Sequence, residues 1–256
     1  MGSPGGGAAS AAVLIIGDEI LSGRTQDTNL RDIAKYLGTQ GVDLLEARTV
    51  PDVQEEIVAA LNALRQRYDY VITTGGIGPT HDDITADAVA AAFGVGVEEH
   101  PEIIAMMESR WGPDQMTGAR RRMARVPIGG ELVKNPLQGP PGFTIGNVFV
   151  LAGVPQIMRG MLEDVGPRLK GGAVVISRTV RVEGQGEGVI AEPLERIAKA
   201  HPAMSLGSYP FYGEGGFGSN LVLRGRDPDE VSAAVGELIE ALKGSGVVKV
   251  GEVTGA

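Results

Sequence analysis

The sequence predicts a doubly wound, mostly parallel α/β domain followed by a smaller α+β domain of split βαβ, ferredoxin-like order. Three observations lead there. In the first half, apolar runs alternate three times with amphipathic helix patterns. At Lys170-Gly171-Gly172 that rhythm stops. Beyond it the elements read β-α-β-β-α-β.

The elements follow in order. "MGSPGGGAAS" has neither a basic region nor an apolar stretch and reads as a disordered leader, taken as residues 1–11. "AAVLIIG" is a buried strand ending in glycine. Leu30, Ile33, Ala34 and Leu37 recur at helical spacing, and "VDLLEARTV" is a second strand. Asp52 precedes a helix with Ile57, Leu61, Leu64 and Tyr68 on one face. "DYVITT" is a third strand. Thr85 is expected to cap the helix "TADAVAAAFG", and Gly94 to stop it. Residues 100–123 read as helical, broken near Gly112-Pro113, and "FTIGNVFVLAG" as a hairpin or strand pair. "VPQIMRGMLEDVGPRL" is a helix with Pro155 near its start. In the second domain, two strands flank the glycine-rich turn "YGEGGFG", which reads as a hairpin connection.

Composition narrows the function. The net charge is −9 and aromatics make up 4%, so neither a nucleic acid nor an anionic membrane is an expected partner. There are no cysteines, which excludes disulfides and thiolate chemistry and suits a cytoplasmic protein. No apolar run approaches the ~20 residues that span a bilayer.

The chemistry concentrates in "TTGGIGPTHDDIT", Thr73 to Thr85. It follows a strand and precedes a helix, where ligands sit in open α/β sheets. Thr74, Gly75, Gly76, Gly78 and Thr80 are candidate phosphate contacts, because glycines let backbone N–H groups approach an anion. A glycine turn is equally a plain strand-to-helix connection. The loop matches neither a Walker A motif nor GxGxxG.

Asp82 and Asp83 lie at the loop mouth, and Asp52 falls on the same sheet edge. Phosphates and carboxylates repel unless a hard cation sits between them, so the three are candidate ligands for Mg²⁺ or a similar ion. Aspartates at helix starts also serve as caps. In "GDEILSGRTQDTN", Glu19, Ser22 and Asn29 would line the same crevice, although Asn29 is equally a cap for the helix near Leu30. His81 has no second histidine at ligand spacing and reads as a loop-surface residue. The basic run Arg120, Arg121, Arg122 and Arg125 could reach ligand phosphates, but by default such a run reads as a solvated helix face.

With those residues in view, the chain resembles the MoaB/Mog-type molybdopterin-binding domain family. The double Asp in "TTGGIGPTHDDIT", with "GDEILSGRTQDTN", "NPLQGPPGF" and "LAGVPQIM", is similar to its CinA (competence/damage-inducible protein A) branch. The resemblance covers roughly residues 13–169, and the second domain resembles the CinA middle domain. Ala152, Ile157 and Pro140 depart from the branch's usual pattern.

The resemblance implies a MoaB/Mog-like domain over 12–171 and a ferredoxin-like domain over 172–256. It implies Asp52 and Asp83 as catalytic residues and Gly75, Gly76 and Gly78 on phosphate. It implies a molybdopterin- or ADP-ribose-type ligand, a divalent metal (Mg²⁺ or similar) and a homo-oligomer. The chain ends at Ala256, without room for the C-terminal nicotinamide-mononucleotide deamidase domain of full-length members. The expected function is binding of a pterin- or nucleotide-type phosphate, with metal-dependent phosphoanhydride hydrolysis of the ADP-ribose pyrophosphatase kind. The alternative is a non-catalytic molybdopterin-binding or molybdenum cofactor biosynthesis protein.

Overall fold

The computed structural model describes residues 8–213 and 216–253. The chain divides into two compact units, 1–172 and 173–256.

The first unit runs β1 (Ala9–Ile16), α1 (Asp18–Leu21), α2 (Asn29–Thr39), β2 (Val42–Val50), α3 (Gln54–Arg67), β3 (Tyr70–Thr74), α4 (Thr85–Phe93) and β4 (Val97–Glu99). It continues through α5 (Pro101–Trp111), α6 (Gly118–Arg122), β5 (Arg125–Pro127), β6 (Glu131–Val133), β7 (Gly142–Ile145), β8 (Val148–Leu151) and α7 (Pro155–Val165). The second unit contains β9 (Ile176–Glu183), α8 (Glu187–Ala200), β10 (Ser205–Gly213), β11 (Gly216–Gly225), α9 (Pro228–Gly244) and β12 (Lys249–Val253).

In the first unit six strands form one sheet in the order β2-β1-β3-β8-β7-β6. The pairs β1–β2, β1–β3 and β3–β8 are parallel, and β8–β7 and β7–β6 are antiparallel. β1 shows why the sheet is covered twice. Ala12, Leu14 and Ile16 join one core with Ile57, Leu61 and Val89. Ala11, Val13 and Ile15 join the other with Ile33, Leu37 and Met158. Alternate side chains point to opposite faces, so an unbroken apolar run implies two buried faces. The chain passes from β1 to β2 on one side and then to β3 on the other. The crevice at the carboxyl ends of β1 and β3 is therefore the switch point of the sheet.

The second unit is an antiparallel sheet of order β10-β11-β9-β12. Its separate core includes Val180, Val182, Leu221, Leu223, Val235 and Leu238. The β-α-β-β-α-β order is the split βαβ arrangement read from the sequence. Among the described residues no helix is long and apolar enough to cross a membrane.

Three local expectations change, and one small pairing is new. β1 starts at Ala9 and pairs with Val42 of β2, so residues 9–11 belong to the sheet and not to a leader; residues 1–7 lie outside the described ones. Thr85 is the first residue of α4, not its cap, and its side chain makes no capping bond. Asn29 likewise does not cap α2: the Asp27 carboxylate accepts from the N–H groups of Asn29 and Leu30 at 3.2 and 3.1 Å. A small antiparallel pair, β4 with β5, was not foreseen, since three-residue strands carry too few side chains to show a period.

Candidate functional site

The glycine turn is forced by what surrounds it. Gly75 has φ +105, and a Cβ there would sit 2.1 Å from the Ile16 carbonyl oxygen. Gly76 has φ +67, and a Cβ there would sit 2.1 Å from Thr85 Oγ1. Only glycine tolerates both the backbone and the space. Beneath the turn, the fully buried Thr85 hydroxyl donates to the Gly75 carbonyl at 3.0 Å, and the Thr85 N–H donates to the Gly76 carbonyl at 3.0 Å. The carbonyls are thus drawn toward α4. The N–H groups of Gly76, Ile77 and Gly78 donate to no acceptor among the described residues. Successive free N–H groups in a turn form an anion-binding concavity.

Thr74 and Asn29 belong to the framework of the crevice. The Thr74 hydroxyl donates to the Ala152 carbonyl at 2.9 Å and accepts from Asn29 Nδ2 at 2.8 Å. Asn29 Nδ2 also donates to the Gly153 carbonyl at 2.8 Å. Asn29, 5% exposed, therefore ties the start of α2 to the ends of β3 and β8. Its Oδ1 is buried without a hydrogen-bond partner among the described residues.

The carboxylates separate into two groups. Asp52 is half-buried and accepts from the Asp18 N–H at 3.0 Å. Burial pushes its carboxyl above the usual carboxylate range; the Asp18 N–H opposes this, and the charges of Asp18, Glu19 and Asp82 add to the rise. Asp18 is thus part of this acidic neighbourhood. Asp83 is held differently: its Oδ2 accepts the Thr80 N–H at 2.7 Å and the Thr80 hydroxyl at 2.5 Å. Thr80 is committed to this clasp. A Cβ on Gly78 would lie 2.6 Å from the same Oδ2, so Asp83 packs against the glycine turn.

Other candidates fall outside. The Ser22 hydroxyl donates to the Glu19 carbonyl at 3.3 Å and lines neither cavity of the site. His81 is 97% exposed, with Nδ1 3.8 Å from Asp82. Asn135 holds its own loop, donating to the Pro140 carbonyl at 3.2 Å and accepting from the Leu137 N–H at 3.0 Å.

Two cavities flank the turn. One is lined by Ile16, Glu19, Asp27, Asn29, Thr74 and Gly153. The other is lined by Gly76, Gly78, Asp83, Arg122, Arg125 and Pro141. Sequence alone could not single out Arg122, because four arginines in one run look alike until each is matched with its partner. Among the described residues no three carboxylates or imidazoles converge as a ready-made metal cage.

The comparisons with known proteins agree with this architecture. The family model described as "Probable molybdopterin binding domain" matches residues 12–171, and "FAD synthase, middle domain" matches residues 174–251. A CinA-like protein from Gemmatimonas aurantiaca is 36% identical over 77% of this chain and 50% of its own length. The chain spans about half the length of such CinA-like relatives. A protein from Archaeoglobus fulgidus is 31% identical over 90% of this chain and 96% of its own. The crystal structure of CinA from Thermoplasma acidophilum, described as of unknown function, is 32% identical with a TM-score of 0.59. It covers 63% of this chain and 98% of its own.

Proposed function

The chain belongs to the molybdopterin-binding domain family and is CinA-like, and from that premise we propose that its first unit binds a pterin- or nucleotide-type phosphate and, with a divalent cation, hydrolyses its phosphoanhydride. The observation that carries this reading is the row of free N–H groups at Gly76, Ile77 and Gly78 beside the acidic neighbourhood of Asp52. Donors that suit a phosphate stand next to carboxylates that repel one, and a hard cation reconciles the two.

The residues fit such an ion. Asp52 is raised first by burial and then by the nearby charges of Asp18, Glu19 and Asp82, and a cation relieves that crowding of like charge. Asp82 and Asp83 at the loop mouth, with Asp52, are the residues that would hold it. When bound, it supplies charge neutralisation at the phosphate.

The chain's own groups do the rest. The glycine turn orients the phosphate, and Thr80 fixes the Asp83 carboxylate. In hydrolysis a water oxygen bonds to phosphorus, the bridging P–O bond breaks, and the leaving phosphate keeps the bridging oxygen. The Asp52 carboxylate suits the proton released by the water.

The clasp of Thr80 on Asp83 also favours a second reading, a module that binds a molybdopterin-like ligand without turnover. Incubation with ADP-ribose and Mg²⁺, with and without chelator, separates the two. Turnover predicts AMP and ribose phosphate only without chelator, and a drop of roughly 10²-fold in Asp83→Asn. Saturable pterin binding with no products selects the module.

A further inference from the structure

The sheet of the second unit ends on a long edge strand with a groove beside it. β10 is the outermost strand in the order β10-β11-β9-β12, so only β11 pairs with it. One residue assigns its outward hydrogen-bonding groups. Along an antiparallel ladder, residues alternate between bonding to the neighbouring strand and bonding away from it. Pro210, opposite Ser219, has no N–H and belongs to an outward position, where a proline costs no ladder bond. Ser208 and Leu206 lie two and four residues before it and share that alternation. Their N–H and C=O groups therefore point to the open edge. Pro210 ends the stretch that a further strand could join.

The same stretch walls the groove. Leu206 and Ser208 form one side, and Ile190, Ala191 and Leu194 of α8 form the other, around a cavity of about 350 Å³. Glu187 and Glu195 also line it, and none of the described residues lining it is basic. Ser208 Oγ donates to Glu187 Oε1 at 3.1 Å, which fixes Glu187 at the Pro210 end. Glu195 also pairs with Lys199, but both side chains are exposed, and such a pair is worth little. The two carboxylates lie eight residues apart on α8, about 12 Å along its axis. In an extended strand, residues i and i+4 share a face and stand about 13 Å apart.

We propose that β10 accepts an extended peptide of the pattern basic-x-apolar-x-basic. Its backbone pairs with the outward groups of Leu206 and Ser208. Its central apolar side chain enters the groove against Ile190, Leu194 and Leu206, and its two cations meet Glu187 and Glu195. This is strand addition at a sheet edge, in which the main chain gives affinity and alternate side chains give specificity. It is a docking function of the second unit and does not depend on the phosphate-binding reading.

Calorimetry on the whole chain tests it with the peptide acetyl-Lys-Thr-Val-Thr-Lys-amide. Saturable binding is expected, and the Glu-Thr-Val-Thr-Glu counterpart should bind at least about tenfold more weakly. Ser208→Pro removes one outward N–H, as Pro210 already does, without costing a bond to β11, and should weaken the peptide by about tenfold or more. It also removes the bond to Glu187, so Ala191→Lys, at an exposed helix position, is the second variant. Its cation in the groove should repel the peptide by a similar factor and leave thermal unfolding unchanged. Full affinity in either variant, equal binding of the acidic peptide, or no binding at about 1 mM peptide overturns the proposal. Self-association of the unaltered chain that Ser208→Pro abolishes, without peptide binding, assigns the edge to a second copy and overturns it as well.

Discussion

Two glycine-dense turns, Gly75–Gly78 and Gly213–Gly218, look alike in composition and do different work. Crowding does not separate them. A Cβ on Gly75 would meet the Ile16 carbonyl oxygen at 2.1 Å, and one on Gly218 would meet the Val182 carbonyl oxygen at 2.0 Å. The hydrogen bonds do. Gly218 lies between Phe211 of β10 and Glu183 of β9 in an antiparallel sheet, and Gly216 pairs with Gly213 across the hairpin. The first turn leaves three successive N–H groups without an acceptor among the described residues. A tight glycine therefore marks close packing, while a row of free N–H groups marks a place for a ligand.

The largest expected effect is Gly75→Ala. The strained φ and the overlap with Ile16 should cost about 3 kcal/mol or more and abolish pyrophosphate binding. Gly218→Ala should destabilise the second unit comparably and leave pyrophosphate binding intact. If chemical denaturation and calorimetry show binding lost in both variants, the contrast between the turns fails.

Thr85→Val comes next. It keeps the shape under the first turn but leaves the Gly75 carbonyl without its buried donor, for about 1–3 kcal/mol. Pyrophosphate affinity should fall with it, because the hydroxyl holds the turn's carbonyls inward. A variant as stable and as tight-binding as the parent would show that the turn needs no support from α4.

The smallest effects belong to the hairpin. A Cβ on Gly213 meets nothing within 4 Å, and Tyr212 is 84% exposed. Gly213→Ala and Tyr212→Ser should each stay within about 0.5 kcal/mol of the parent. A larger loss in thermal unfolding would mean that this hairpin carries more than its sheet pairing shows.

Much of this was legible before any coordinates. "AAVLIIG" could only be a strand buried on both faces, and strand-helix alternation led to the parallel sheet. The β-α-β-β-α-β order of the second unit could be read in the same way. What could not be read depended on contacts far apart in the chain. Thr85 and Asn29 are both good capping residues; Thr85 was expected to cap, and Asn29 either to cap or to line the crevice. Instead Thr85 is buried under Gly75, and Asn29 bridges to Thr74 and Gly153, 45 and 124 residues away. Asp52 and the glycine turn were legible because residue type and position on the strand ends agreed. Arg122 was not, because only tertiary pairing sets it apart from Arg120, Arg121 and Arg125.

Amide shifts test the central claim most directly. In a ¹H–¹⁵N titration with ADP-ribose and Mg²⁺, the account predicts saturable movement of the Gly76, Ile77 and Gly78 amides, reversed by chelator, with those of Gly213, Gly216 and Gly218 unmoved. Still amides at the first turn, or movement confined to the hairpin, would contradict it.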